Sequence, residues 1–359
     1  MDCKTAKLKI EKCGYSVESI QLIPEGSNHY IFDVKTKDNS VIARFKRNLN
    51  GAVKRDNLFG GVTNIDRESE IYKILTNVGL PAPRIIKKQT DFLIVEKLPG
   101  LLWREYMEFS DFHKDKFLIS MYELGKTIAK VQKIKFESYG DIMSESKIYP
   151  HYFSNFVDRF SAVMQMRIFH AARKKVFSRT EIQILKKKFI TNCLILKALL
   201  SEETNPVMVL TDLHADNFLV DEYGKPSGFF DLESCQAAHP ALEIYGLKFF
   251  LFNYFDKVAF KQAEKSFFSG FHEAGGSYDY KAPVNIKLEK FLAAGRLLEL
   301  AESYHGINDG LRDSWSTSFK NLLWKYIYRD EIEYLNIGNI FRAKTGQPEK
   351  YFGKQQKEG

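Results

Sequence analysis

The stretch from residue 207 to 233, VMVLTDLHADNFLVDEYGKPSGFFDLE, constrains this chain more than any other. Val207 to Leu210 is a short β-branched and aliphatic run, the pattern of a buried strand. It stops at Thr211-Asp212, where the polar string DLHADN begins. Phe218-Leu219-Val220 reads as a second strand, and Tyr223-Gly224-Lys225-Pro226 as a turn. Gly228-Phe229-Phe230 is a third apolar run, closing on Asp231. Strand ends and the loop between them therefore deliver Asp212, Asn217 and Asp231 to one mouth. Taken singly, Asp and Asn between strands are ordinary turn and cap residues. Together at this spacing they make a set with chemistry in it.

That chemistry suits magnesium and a phosphoryl group. Mg²⁺ takes a few hard oxygen ligands and keeps its other positions for water and substrate phosphates. Asn217 and Asp231 offer such oxygens. Asp212, left off the metal, is free to orient a hydroxyl or accept its proton. Here the string resembles the catalytic segment of the aminoglycoside phosphotransferase and choline kinase-like family. That family shows H-G-D-L-H-x-x-N, then a spacer, then hydrophobic-hydrophobic-D-x-E. The resemblance puts Asp212 on the catalytic aspartate and Asn217 and Asp231 on the two metal ligands. It implies a bilobal, protein-kinase-like α+β fold, with an antiparallel N-terminal sheet plus one helix and a mainly helical C-terminal lobe. It also implies ATP (or GTP) and Mg²⁺ as cofactors. Two departures bear on the backbone of the loop: Leu210-Thr211 stands in place of His-Gly, and Asp216 adds a carboxylate.

Upstream, residues 17 to 46 read as three strands. SIQLIP leads to Glu25-Gly26-Ser27-Asn28, HYIFDV alternates, and SVIARFK returns after KTKDN. A hairpin turn explains EGSN. The family's similar strand-G-x-x-N-strand opening would make Gly26, Ser27 and Asn28 a cradle for nucleotide phosphates. Alternation places Ile42, Arg44 and Lys46 on one face of the third strand. The family register selects Arg44 as the phosphate-facing cation, with Lys46 the fallback. An Arg would clamp phosphate by its planar fork, where Lys acts as a point charge. Asp66-Arg67-Glu68 opens a helix with Ile71, Ile74 and Leu75 at a 3.6-residue period, ended by Gly79 and Pro81. The family pattern pairs Glu68 with Arg44, and Glu70 is the rival in register. On its own Glu68 is a first-turn acid favoured by the helix dipole.

Asp91 to Glu96 is the last strand of this half, and Lys97-Leu98-Pro99-Gly100 breaks it. In the family this is the hinge that meets the nucleotide base, which brings in Glu96, Lys97 and Leu98. The expected division is an N-terminal nucleotide-binding lobe over 1–99, a helical catalytic and acceptor-binding lobe over 100–345, and a polar tail over 346–359. Gly125-Lys126-Thr127 lies in a helical stretch and lacks the upstream glycine and strand of a phosphate loop. After Glu233, HPALEIYGL carries Glu243 where the family has an aspartate that steadies the catalytic loop. Glu243 and Leu210-Thr211 are expected to compensate for one another. Residues 240 to 345 read as amphipathic helices, and Arg296, Glu299, Glu302, Tyr304 and His305 either line an acceptor cleft or form a solvated face.

Composition settles what the motifs leave open. A chain of 359 residues with 44% apolar and 14% aromatic content buries a large core. No apolar run approaches the roughly 20 residues that cross a bilayer. Cys3, Cys13, Cys193 and Cys235 have neither metal-ligand nor disulfide-framework spacing, so a reduced, cytoplasmic protein is expected. The net charge is +8. Arg173-Lys174-Lys175 and Lys186-Lys187-Lys188 read as solvated helix faces, so neither nucleic acid nor membrane is expected as a partner. The basic balance does disfavour a strongly polycationic acceptor. The sum is a small-molecule O-phosphotransferase with Asp212 and His214 at the reacting group. His214 either touches the transferring phosphoryl or braces the loop. A degenerate nucleotide-binding module and a protein kinase are the alternatives.

Overall fold

A computed structural model describes residues 1–23, 29–46, 64–109, 114–150, 153–200, 205–307 and 311–343. Strands β1 (Val17–Ile23), β2 (His29–Thr36), β3 (Ser40–Lys46), β4 (Ile85–Lys88) and β5 (Phe92–Glu96) form an antiparallel sheet in the order β1-β2-β3-β5-β4. Strand alternation divides its faces. Phe32, Val34, Ala43, Phe45 and Ile94 pack on one side against Ala6 and Ile10 of helix α1 (Cys3–Glu11). Phe45 stacks on Phe92 with ring centroids 4.7 Å apart. The opposite face carries Arg44, Leu93 and Val95 towards helix α2 (Asn64–Asn77), whose Ile71 and Leu75 are fully buried. Arg44 thus points inward because its strand neighbours Ala43 and Phe45 are claimed by α1's side.

The expected α+β architecture is the one observed, with a sheet-rich N-terminal half and a helical C-terminal half. Helix α2 is tied to the latter through Arg67. Its Nε donates to the Ile142 carbonyl at 3.1 Å, and its Nη2 lies 3.4 Å from Asp141 and bonds the Cys235 carbonyl. The chain then forms β6 (Leu101–Leu102), α3 (Trp103–Phe109), α4 (Lys114–Val131), β7 (Gly140–Ser144), β8 (Lys147–Tyr149), α5 (Phe156–Arg173) and α6 (Arg179–Leu199). Next come β9 (Val207–Val209), β10 (Phe218–Val220), β11 (Pro226–Phe229) and β12 (Gln236–Ala238). Helices α7 (Ala241–Phe250), α8 (Lys257–Glu273), α9 (Pro283–Tyr304), α10 (Leu311–Arg329) and α11 (Tyr334–Ala343) follow.

Helix α9 is buried nearly all round, as a helix at the centre of a bundle must be. A Cβ on its Gly295 would stand 2.5 Å from the Phe160 ring, so only glycine lets α5 approach this closely. The Gly125-Lys126-Thr127 string sits inside α4, where a Cβ on Gly125 would meet the Phe267 carbonyl of α8 at 2.1 Å. That glycine serves helix packing and not phosphate. Two small antiparallel sheets, β11-β10-β6 and β8-β7-β12-β9, carry the segment from 207 to 238. Buried Trp103 holds this unit in place, packing on Phe218 and donating from Nε1 to Ser120 Oγ at 3.1 Å. No helix among the described residues is long and apolar enough to cross a membrane.

Candidate active site

The loop from Leu210 to Asn217 leaves β9 through a left-handed residue, Thr211, at φ +64°. A β-branched residue is strained there. Two anchors hold it: Thr211 Oγ1 donates to the Ser234 carbonyl at 2.9 Å, and the Leu210 N–H donates to Glu243 Oε2 at 2.7 Å. Burial pushes the Glu243 carboxyl up to about 7, against the pull of the Leu210 and Thr211 N–H groups. The expected link between Glu243 and Leu210-Thr211 is therefore a direct contact. The extra carboxylate, Asp216, is taken up structurally, because Arg104 Nε reaches it at 2.6 Å.

At the far end of the loop, Asn217 Nδ2 donates to the Asp212 carbonyl at 2.9 Å, leaving Oδ1 as its ligating atom. The Phe230 N–H donates to the Asn217 carbonyl at 3.1 Å, which brings Asn217 beside Asp231. Asp231 is itself left-handed, at φ +58°, a conformation aspartate tolerates better than threonine. Its Oδ1 accepts from Arg44 Nη2 at 2.8 Å, and its second oxygen remains for a cation. Burial raises the Asp231 carboxyl, but the Arg44 charge and hydrogen bond outweigh it, and the group lies below the ordinary carboxylate value. His214 adds to that pull, so the two halves of the segment share one electrostatic environment.

Arg44 and Glu68, expected as a pair, lie 3.1 Å apart, with side-chain exposures of 3% and 0%. The rivals in register are elsewhere. Lys46 Nζ donates to the Thr90 carbonyl at 2.7 Å, and Glu70 pairs with Lys73. Tyr72 donates to Glu68 from one helical turn on. Burial works against the Arg44 cation, but Glu68 and Asp231 hold its pKa above the ordinary value. Burial likewise raises Glu68, with Arg44 opposing it. One cation between two carboxylates leaves this cluster negative, and Asn217 Oδ1 and the second Asp231 oxygen are hard donors beside it. The residues present fit Mg²⁺.

Two further residues join this cluster. His29 Nδ1 lies 3.4 Å from Arg44 Nη2 and 3.8 Å from Glu233 Oε2, and His29, Asp231 and Glu233 present ligand atoms within 4.8 Å of one another. Imidazole suits transition metals better than Mg²⁺, so His29 fits better as a partner of Arg44 and Glu233. Sequence reasoning did not single out His29, which meets Glu233 only across some 200 residues of chain. Glu233 carried a signal, as the last letter of the D-x-E string.

His214 Nδ1 accepts the Asp216 N–H at 3.2 Å, so a neutral ring carries its proton on Nε2. It braces the loop through one nitrogen and keeps a donor on the other. Asp212, with 36% of its side chain exposed, faces Arg296 Nη2 at 4.0 Å. At the break after β5, the Glu96 carboxylate is held by Arg84 at 3.0 Å and Lys97 Nζ by Asp33 at 2.6 Å. The Glu96 N–H donates to the Arg84 carbonyl at 2.9 Å. Of the three hinge residues, Lys97 and Leu98 therefore lie past that pairing, and Leu98 packs on Gly228. Gly26, Ser27 and Asn28 lie outside the described residues, as do the tail residues 346–359.

The chain superposes on the gentamicin complex of the aminoglycoside phosphotransferase APH(2")-IIa with a TM-score of 0.61 at 12% identity, covering 94% of this chain and 98% of that one. ADP-bound APH(2'')-Ib matches at 0.60 and 13%, covering 89% and 97%. A ternary complex of APH(4)-Ia with ADP and hygromycin B matches at 0.59 and 14%, covering 88% and 96%. At such identities the likeness is one of fold. No curated protein sequence matches the chain. The sequence model of one phosphotransferase family, however, matches residues 19–273, well over half the length. The protein belongs to the phosphotransferase enzyme family that includes the aminoglycoside phosphotransferases.

Proposed function

We propose that this protein is a small-molecule kinase that moves the γ-phosphoryl group of ATP (or GTP) onto a hydroxyl group. The observation that carries the reading is the junction of Arg44, Glu68 and Asp231, with Asn217 alongside and Asp212 at the other end of the same loop. Phosphoryl transfer asks for positioning and charge neutralisation more than for covalent chemistry. Asn217 Oδ1 and Asp231 would hold Mg²⁺, which when bound would supply charge neutralisation at the phosphates. Arg44, fixed by Glu68, turns its guanidinium to the α- and β-phosphates. Lys97 and Leu98 meet the base through backbone groups, and Gly26, Ser27 and Asn28 cover the phosphates. Asp212 orients the acceptor hydroxyl and takes its proton, and His214 donates from Nε2 to the transferring group.

Nucleotide use is supported by the ATP and ADP complexes among the matched structures, which are kinases of the same fold. The other small molecules bound in the matched structures are gentamicin, streptomycin and hygromycin B. For this chain the +8 net charge favours a hydroxyl compound without several positive charges. The departures at Leu210-Thr211 do not argue for an inactive module, since both residues are anchored by hydrogen bonds. The test is ADP release from Mg·ATP with and without candidate acceptors. Asp231→Ala is expected to lose Mg²⁺-dependent nucleotide binding. Binding that survives that change with its Mg²⁺ dependence intact would contradict the assignment of the metal site.

A further inference from the structure

The turn that follows the metal ligand Asp231 is gripped from two sides. Asp231 opens it in a left-handed conformation, Leu232–Ser234 form a single 3₁₀ turn, and Cys235 hands the chain to β12. A non-glycine residue in that conformation persists where its surroundings over-determine it. From the catalytic loop, Thr211 Oγ1 holds the Ser234 carbonyl at 2.9 Å. From α2, two consecutive side chains take hold: Glu68 accepts the Leu232 N–H, and Arg67 Nη2 bonds the Cys235 carbonyl.

Arg67 does more than close that one bond. Its Nε donates to the Ile142 carbonyl of β7 at 3.1 Å, and its Nη2 lies 3.4 Å from Asp141 on the same strand. A planar fork can serve a strand and a turn at once, where a single ammonium nitrogen acts as a point. Strand β7 pairs with β12 through Asp141 and Gln236, so Arg67 fastens α2 across the place where strand and turn meet. Arg67 is largely buried, and water does not readily replace the bonds it makes. Arg159, from α5, shares Asp141 at 3.0 Å and donates to Gln236 Oε1 at 2.7 Å. Those contacts are with side chains of β7 and β12, and the carbonyl of the turn is left to Arg67.

We infer that Arg67 is a positioning residue for the nucleotide site. It holds the Asp231 turn and the Glu68 end of α2 in one register, so that Mg²⁺ and nucleotide meet a site already assembled. The inference rests on the phosphotransferase reading above and deepens it. Glu68, the next residue, lies 3.1 Å from Arg44, and Arg44 donates to Asp231 Oδ1 at 2.8 Å. Arg67, the turn, Asp231, Arg44 and Glu68 thus form a closed ring of contacts, and Arg67 ties that ring to β7. Mg²⁺ tolerates little error in the placing of its oxygens. A loosened turn should therefore show first in the concentration of Mg²⁺ that nucleotide binding requires.

Calorimetric ATP binding over a series of Mg²⁺ concentrations tests this, with ADP release and urea midpoints measured alongside. Arg67→Met keeps the apolar stem and removes every donor. It should raise the half-saturating Mg²⁺ concentration at least about tenfold, the lower end of the effect of groups that orient metal ligands. KM for Mg·ATP should rise with it. Arg67→Lys keeps a charge for Asp141 but cannot span both carbonyls, and should fall between Arg67→Met and the parent. Arg159→Met removes the other cation on Asp141 and should leave the Mg²⁺ requirement at the parent's level. A purely structural Arg67 would lower the urea midpoint and the active fraction while leaving the Mg²⁺ requirement and KM unchanged, and that result overturns the inference. An equal rise in Arg159→Met overturns it too. If Arg67→Met does not fold, Arg67→Lys decides, and a Mg²⁺ requirement equal to the parent's overturns the inference. A parent that binds no ATP in the presence of Mg²⁺ refutes the phosphotransferase reading and this inference with it. A parent that binds, with Arg67 variants that match it, removes this inference alone.

Discussion

Arg44 and Arg296 flank the two ends of one strand-loop-strand segment, the first beside Asp231 and the second beside Asp212, and they are held in different ways. Arg44 is 3% exposed and touches both of its carboxylates at hydrogen-bond distance. Arg296 is 26% exposed, closes one contact on Glu299 and stops short of Asp212. The difference marks a division of labour. A buried cation between two acids is fixed in place and fixes them in turn. A cation that is part-exposed and closes a single contact is held less tightly.

Two variants sharpen this contrast. Replacing Arg44 is expected to have the largest effect, because it leaves Glu68 buried without its counter-charge. Arg44→Met should lower stability by about 3–5 kcal/mol, the range for breaking a buried pair from one side, with the shift read as the urea midpoint. Arg296→Gln should cost far less in the same assay. Equal losses at the two sites would remove the distinction between them.

The loop that carries Asp212 is held by a burial-shifted acid, and pH should reveal it. Glu243 has a folded-state pKa of about 7, against 4.5 for an ordinary glutamate side chain. The unfolded chain therefore releases this proton first as pH rises. The stability contribution of protonated Glu243 is fully present below pH 4.5 and is lost as pH climbs through about 7. The loss is on the order of 3 kcal/mol. Glu243→Gln should flatten that slope in a series of urea midpoints from pH 5 to 8, whereas an unchanged slope would place the titrating group elsewhere.

Thr211 gives the smallest effect. Its left-handed backbone carries strain of about 1–3 kcal/mol, partly offset by the hydroxyl bond to Ser234. Thr211→Val keeps the strain and loses the bond, and should destabilise by about 1–2 kcal/mol. Thr211→Gly loses the same bond but releases the strain, and should fall within about 1 kcal/mol of the parent. Identical shifts in the two variants would mean that the backbone there is relaxed.

How much of this was legible before the structure follows from the range of the contacts involved. The strand ends that carry Asp212, Asn217 and Asp231 are written in local alternation and turn residues, and they fold as read. Arg44 and Lys46 share one face, so periodicity could not separate them; their places along β3 did, Arg44 lying against Glu68 of α2 and Lys46, at the strand's end, reaching the Thr90 carbonyl. Glu68 and Glu70 share a helix opening, and only the packing of α2 on β3 decides which one meets Arg44. Thr211 was visible as a departure from the expected glycine, but its cost and its anchor on Ser234 depend on a residue 23 positions away. His29 acquires meaning only from neighbours brought together by the fold, whereas Glu233 and Arg296 stood out in the sequence but gain their partners only there.

The central claim is that Asp212 acts on the acceptor while Arg44, Asn217 and Asp231 act on the nucleotide. It is tested most directly by measuring Mg·ATP affinity by calorimetry and ADP release in parallel for Asp212→Ala. The account predicts turnover reduced by about 10²–10⁴-fold, the usual scale for a general base, with nucleotide affinity within about twofold of the parent. Turnover retained in that variant, or nucleotide affinity lost along with it, would contradict the assignment.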